Sequence, residues 1–204
     1  MIMLYESMRR EDGYIYDPDD DSFLLMDAAL AEVKDTDKVL EIGTGSGIIA
    51  ESLLNKARCL IATDINPFAT ELAKRKGIDV IRTYLFDGIK EKFDLILFNP
   101  PYLPKKPDLL YDESSDERNR WVSLALDGGP TGREIIEEFL DDVGNYLSDE
   151  GRFLIVISSF TGIEDVMNSA ESKGFCIEIV NEKRIFFEQL VVIKGRLKDR
   201  KSEE

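Results

Sequence analysis

Residues 39–47 read VLEIGTGSG, an apolar run with one acid followed by three glycines at alternate positions, Gly43, Gly45 and Gly47. The run 38–43, KVLEIG, has the length and content of a buried strand, and 46–57, SGIIAESLLNKA, has the spacing of an amphipathic helix. Glycines between them let the backbone take angles closed to other residues and approach a ligand closely. Working outward from this unit, short runs rich in Val, Ile, Leu and Phe alternate with longer amphipathic stretches. That is the pattern of parallel strands joined by crossover helices.

Upstream, the acidic cap DPDDD precedes a helix over 22–33. Downstream come a strand over 59–65, a helix over 67–77 with Pro67 at its start and Gly77 at its end, and strands over 79–86 and 93–100. A long polar stretch from Pro104 to Pro130 follows, then a helix over 132–147, a strand over 152–159, a helix near 161–174 and a strand pair over 175–195. The reading is therefore an α/β fold with a seven-stranded, mostly parallel sheet, helices on both faces and an antiparallel terminal strand. Residues 1–195 form one domain and 196–204 a charged tail. The polar stretch, which carries the only tryptophan, Trp121, is read as a substrate-facing loop.

Composition narrows the chemistry. With 204 residues and 43% hydrophobic content, the chain can bury one substantial core. A net charge of −15 repels a phosphate backbone, so direct nucleic-acid binding is disfavoured. Cys59 and Cys176 form no CxxC pair and are expected as reduced core residues, with no metal site. The chain has no histidine, which removes imidazole acid/base catalysis and the usual serine and cysteine triads. The opening twelve residues hold too few apolar residues for a signal peptide, and no apolar run reaches membrane-spanning length; a cytoplasmic location is expected.

The glycine turn belongs to a larger constellation. A dinucleotide fingerprint would place its third glycine at position 48, which is Ile48. The G-x-G-x-G spacing instead resembles the turn of Rossmann-like class I methyltransferases that use S-adenosylmethionine. Asp64, ending the second strand, suits the two hydroxyls of a ribose. Asp87, in LFDG, either suits an adenine amino group, with Phe86 or Leu85 over the ring, or is a turn residue before Gly88. Glu41 either contacts the cofactor's amino group or orders the glycine turn.

FNPPYLP, residues 98–104, ends the fourth strand at the same edge. Two prolines stiffen the backbone and remove two N–H donors. The side-chain oxygen of Asn99 and the carbonyl of Pro100 can then each accept a hydrogen from one planar –NH₂ group, and Tyr102 offers a ring face beside it. Gripping both amine hydrogens favours the more tetrahedral, positively charging nitrogen of a methyl-transfer transition state.

NPPY together with EIGTGSG resembles the amino-methyltransferases, among them adenine methyltransferases and the HemK-like enzymes that methylate the glutamine of a GGQ motif in translation release factors. IYDPDDDSFLL (15–25), through Tyr16, Pro18, Asp21, Ser22 and Phe23, and LDGGPTGREII (126–136) resemble the eukaryotic and archaeal release-factor branch. The resemblance implies methyl transfer from S-adenosylmethionine to that glutamine's amide nitrogen, the alternative being an exocyclic amine of adenine or guanine in a nucleic acid. It implies cofactor contacts at Ser22, Glu41, Gly43, Asp64, Asp87 and Asn99, with Gly45 and Gly47 completing the turn. The acceptor site falls on Asn99, Pro100 and Tyr102. It also implies a small zinc-binding activator protein paired with the sheet edge near 79–86.

Overall fold

The computed structural model describes residues 14–105 and 116–198. In chain order the elements are α1 (Asp20–Glu32), β1 (Lys38–Ile42), α2 (Ile48–Leu53), β2 (Cys59–Asp64), α3 (Pro67–Arg75), β3 (Asp79–Arg82) and β4 (Phe93–Phe98). Then follow α4 (Glu117–Leu124), α5 (Glu134–Tyr146), β5 (Leu147–Ser158), a 3₁₀ turn (Ser159–Thr161), α6 (Ile163–Ser172), β6 (Phe175–Ile185) and β7 (Glu188–Leu197). The strands make one seven-stranded sheet in the order β3-β2-β1-β4-β5-β7-β6. Strands β1 to β5 pair in parallel, while β7 is antiparallel to both β5 and β6.

Alternation along the strands divides the core between the two faces. Leu40, Ile42, Ile96, Phe98, Phe153 and Ile155 meet α5 and α6 through Ile136, Phe139, Leu140 and Val166. Val39, Leu95, Leu97, Leu154 and Val156 meet α1 and α2 through Leu25, Ala29, Ala50 and Leu53. The central strands are therefore apolar on both sides, as a sheet covered by helices on both faces requires. At the amino edge, Arg152 is buried and held by Asp37 at 2.7 Å and by the carbonyls of Asp94 and Glu32. Its guanidinium thus joins β4, β5 and the loop after α1.

Several boundaries differ from the sequence reading, each for a local reason. The run 79–86 is a strand only to Arg82, because Leu85 takes a positive φ of 41° and turns Phe86 inward. The Phe86 ring stacks on Tyr146 at 4.4 Å and on Phe139 at 5.6 Å. The polar stretch contains a helix, α4, whose Val122 is buried; its residues 106–115 lie outside the described residues. Strand β5 begins at Leu147 instead of 152, and β7 runs to Leu197, so the first two residues assigned to the tail are strand. Both cysteines are exposed rather than in the core: Cys59 opens β2 at the amino edge, and Cys176 lies on the edge strand β6. Among the described residues, no helix is long and apolar enough to cross a membrane and no cluster of side chains suits a metal.

Gly195 of β7 lies against the buried ring of Phe153, where an added Cβ would overlap the ring. Gly195→Ala is expected to lower stability by about 1–3 kcal/mol through overpacking. A urea unfolding midpoint that falls without a change in slope checks this.

Candidate active site

The sheet register builds the site. Ile42 pairs with Thr63 on one side and with Phe98 on the other. The next residue of each strand or turn, Gly43, Asp64 and Asn99, therefore stands at one level of the carboxyl edge. This is also where the strand order reverses, between β1 and β4, and open α/β sheets bind ligands at such a crevice. A cavity opens there, lined among others by Ser22, Glu41, Gly43, Gly45, Asp64 and Asn99.

Gly43 and Gly45 have φ of +67° and +51°, a region that only glycine enters freely. Gly45 has open space where a Cβ would be, and its N–H donates to Asp64 Oδ2 at 2.8 Å. The other oxygen of Asp64 accepts from the N–H of Asn66 at 2.8 Å. Burial raises the Asp64 carboxyl above its ordinary range, against the pull of those N–H groups. The carboxylate keeps lone-pair capacity for a hydroxyl beside these bonds.

Glu41 is fully enclosed at the floor of the cavity. The Thr44 hydroxyl donates to its Oε2 at 2.6 Å, so it orders the glycine turn. Burial pushes its carboxyl up to about 8, with the charge of Asp64 adding to the rise and the Thr44 bond opposing it.

On the acceptor side, Asn99 Nδ2 donates to Ser22 Oγ at 3.4 Å, and Oδ1 is buried without any partner among the described residues. A buried acceptor left open is costly unless a ligand supplies its donor. Asp21, 4% exposed, gathers the surrounding groups: Ser22 Oγ donates to it at 3.1 Å, Tyr16 Oη at 3.3 Å and Tyr102 Oη at 3.3 Å. Burial and the Asp21 charge raise both phenols far above their usual range, so they remain donors. Tyr102 thus lines the cavity with its hydroxyl tied to α1.

The segment 126–132 holds this loop in place. Leu103 N–H donates to the Leu126 carbonyl at 3.0 Å, Gly128 N–H to the Leu103 carbonyl at 3.0 Å, and Lys105 N–H to the Gly129 carbonyl at 2.8 Å. A Cβ on Gly128 would stand 2.8 Å from the Pro101 carbonyl, and one on Gly132 would collide with that of Tyr102. These glycines let two backbones touch.

Of the sequence-derived residues, Ser22, Glu41, Gly43, Gly45, Asp64, Asn99, Pro100 and Tyr102 line the cavity. Gly47 caps α2 at φ +76° and packs towards Ile78, outside the lining. Asp87 is exposed in the turn after β3 and does not line the cavity; the early turn at Leu85 brings Tyr84 and Leu85 there instead. Trp121, Leu124 and Leu126, from the described part of the polar stretch, line it too. Sequence reasoning gave Asp21 and Gly128 no individual role. Three glycines in five residues were the signal for the second.

Residues 16–109 match the family model of the methyltransferase small domain. A putative protein N5-glutamine methyltransferase of Methanocaldococcus jannaschii is 39% identical over 188 residues, covering 89% of this chain and 91% of that protein. The chain belongs to the HemK-like methyltransferase family. It is accordingly an S-adenosylmethionine-dependent methyltransferase of class I. Methyltransferase HEMK2 of Homo sapiens is another relative of this HemK-like chain, 31% identical and covering 78% of this chain and 79% of that one. Among solved structures, Mtq2 of E. cuniculi in its complex with Trm112, which methylates the termination factor eRF1, superposes with a TM-score of 0.72 at 28% identity, covering 90% of this chain and 99% of that one. The methyltransferase NodS of Bradyrhizobium japonicum, bound to S-adenosyl-L-homocysteine, shares the fold at a TM-score of 0.64 and 17% identity, covering 97% and 98%.

Because the Glu41 carboxyl titrates at about 8 in the folded chain, above its unfolded value, its stabilising neutral form is lost as pH rises between those values. Glu41→Gln keeps an acceptor for Thr44 and escapes that loss. The variant's stability relative to the parent is expected to grow from about pH 5 to about pH 8 by a few kcal/mol. Urea unfolding at both ends of that range tests it, and a difference independent of pH would refute it.

Proposed function

We propose that this HemK-like chain methylates the side-chain amide nitrogen of the glutamine in the GGQ motif of a translation release factor. The observation that carries the reading is the buried, unpartnered Oδ1 of Asn99 in the cavity wall, one residue before the two prolines. The names of the relatives support it: a protein N5-glutamine methyltransferase, release factor glutamine methyltransferases and the catalytic subunit of an eRF1 methyltransferase.

S-adenosylmethionine, when bound, supplies a methyl group made electrophilic by the sulfonium. The residues around the cavity fit such a ligand. Asp64 would accept hydrogen bonds from the ribose hydroxyls, Gly43 and Gly45 would let the cofactor approach the backbone, and Glu41 holds the turn through Thr44. Ser22 accepts from the Asn99 amide and keeps it oriented, which leaves Oδ1 as an acceptor unpaired among the described residues. Asn99 Oδ1 and the Pro100 carbonyl take the two hydrogens of the glutamine amide, and the Tyr102 ring flanks it. An amide nitrogen is a poor nucleophile because its lone pair is delocalised. Two acceptors would hold it in position and stabilise the positive charge it gains as the carbon–sulfur bond breaks; one amide hydrogen then leaves as a proton to water, and the chain has no histidine to take it. The −15 charge favours a protein acceptor over a nucleic acid.

The β3 edge is the proposed seat of a small zinc-binding activator. It is a four-residue outer strand whose Ile81 is 44% exposed, and an unpaired edge is a ready template for strand addition.

Transfer of labelled methyl to a purified release factor is expected, with RNA and DNA as controls. Asn99→Ala should lose about 10²-fold or more in rate with cofactor affinity retained. Transfer to nucleic acid alone would reverse the assignment. Ile81→Glu is expected to weaken binding of the activator about tenfold or more while leaving the circular dichroism unchanged; an unaltered affinity would move the partner elsewhere.

A further inference from the structure

The tip of the β6–β7 hairpin carries two adjacent phenylalanines, Phe186 and Phe187, which are 101% and 92% exposed. Neither the core nor the turn accounts for them. Their rings stand 6.5 Å apart and are bare to solvent. Two-residue hairpin turns favour Asn-Gly, Asp-Gly or a leading glycine at these positions, because such turns call for positive φ. Neither phenylalanine has a positive φ. Two aromatic rings at a loop tip are costly to leave in water, and such local departures from folding rules concentrate at functional surfaces.

The position of the tip is specific. Strand β7 starts at Glu188, directly after Phe187, and Glu188 takes the hydroxyl hydrogen of Ser158 at 2.5 Å, at the carboxyl end of β5. Lys183 of β6 pairs with Asp20 of α1 at 2.7 Å, and Asn181 donates to the Leu24 carbonyl at 3.3 Å. The hairpin is thereby tied to α1, the helix that supplies Asp21 and Ser22 to the acceptor side. Phe23 of α1 and Phe160 after β5, 43% and 47% exposed, lie at the same end of the sheet. Between these apolar groups and the acceptor site stands a band of carboxylates. Burial raises the Glu188 carboxyl against the Ser158 bond, and the charges of Asp21, Asp19 and Asp20 add to the rise.

We propose that the Phe186–Phe187 tip and the adjoining acidic band dock the body of the protein whose glutamine enters the cavity: the tip grips an apolar spot on that protein, and Asp19 and Glu188 face a basic stretch of it. The inference rests on the reading of the chain as a protein methyltransferase and extends it from the reacting amide to the surface that selects the acceptor. An aromatic pair supplies contact area at little cost in side-chain ordering, while opposite charges steer and orient the approach. The tip lies outside the cavity lining, so on this proposal a short segment engages the cavity alone and a folded acceptor meets the tip as well.

The test compares the parent with Phe186→Ala/Phe187→Ala on two acceptors, the intact release factor and a synthetic peptide spanning only its GGQ motif. The double variant is expected to raise KM for the intact factor about tenfold or more, with kcat, cofactor affinity and peptide KM unchanged. In the parent, KM for the intact factor should also rise with ionic strength. Equal KM for parent and variant on the intact factor overturns the docking role while leaving the proposed function standing. No transfer by the parent to either acceptor removes the proposed function and this inference with it. A parallel rise in KM for peptide and factor, or a fall of several degrees in Tm, assigns the tip to packing within the chain. Loss of a dimer in light scattering, with KM unchanged, assigns it to a second copy. Either result refutes the proposal, and a salt-independent KM refutes its basic half.

Discussion

The hydrogen-bond register that pairs Ile42 with Thr63 and with Phe98 leaves the ends of three parallel strands level, and the rest of the site depends on that alignment. Three chain segments far apart in sequence deliver a glycine turn, a carboxylate and an amide to one crevice because the ladder permits no slip: moving any strand by one residue would exchange the side chains it sends to the two helical layers and unpack both. Val39, Leu95 and Leu97 on one face, and Leu40, Ile96 and Phe98 on the other, hold that register through burial. The core and the site are thus consequences of one pairing. Antiparallel β7 and β6 extend the sheet without disturbing the level, and they carry the exposed hairpin to the same edge.

A second constraint acts on the acceptor loop. Proline limits its backbone, but proline alone does not aim a side chain. Aim comes from two neighbours: the backbone of 126–132, which the loop meets closely at Gly128 and Gly132, and Asp21, which receives Tyr102, Tyr16 and Ser22 together. Through Ser22 the same carboxylate reaches Asn99. Asn99 is thereby held with one polar atom satisfied and the other open, which is pre-organisation in its simplest form.

Three buried carboxylates, Asp21, Glu41 and Asp64, surround the cavity, and burial raises each of them. Such a pocket is poorly solvated and short of positive charge. It suits a cationic ligand, whose arrival offsets the desolvation these groups suffer. The sulfonium of S-adenosylmethionine is of that kind, and so is an amide nitrogen as it gains a methyl group. The strain-prone positions cluster here as well: Gly43 and Gly45 in the turn, and Leu85 with its φ of 41° beside them.

The amino-acid sequence by itself determined the α/β class, the seven strands, the glycine turn after the first strand and the prolines after the fourth, because strand and helix periodicity and the limits of glycine and proline are local properties. Its strand ends set Asp64 and Asn99 at one edge of the sheet and the family resemblance added Ser22; the structure lines one cavity with these three and with Glu41, Pro100 and Tyr102. What the sequence misjudged depended on distant contacts. The run 79–86 reads as one strand, whereas Phe86 turns into the core to stack on Tyr146 and the chain turns at Leu85, which leaves Asp87 exposed outside the cavity lining. The cysteines were expected inside because cysteine is usually buried, whereas each falls at an edge of the sheet. Only the tertiary structure made Asp21 the meeting point of two tyrosines and a serine, and only it set Gly128 against Pro101. A contact across eighty residues of chain, as between Asp21 and Tyr102, leaves no periodic trace in either segment; the packed fold alone brings the two together.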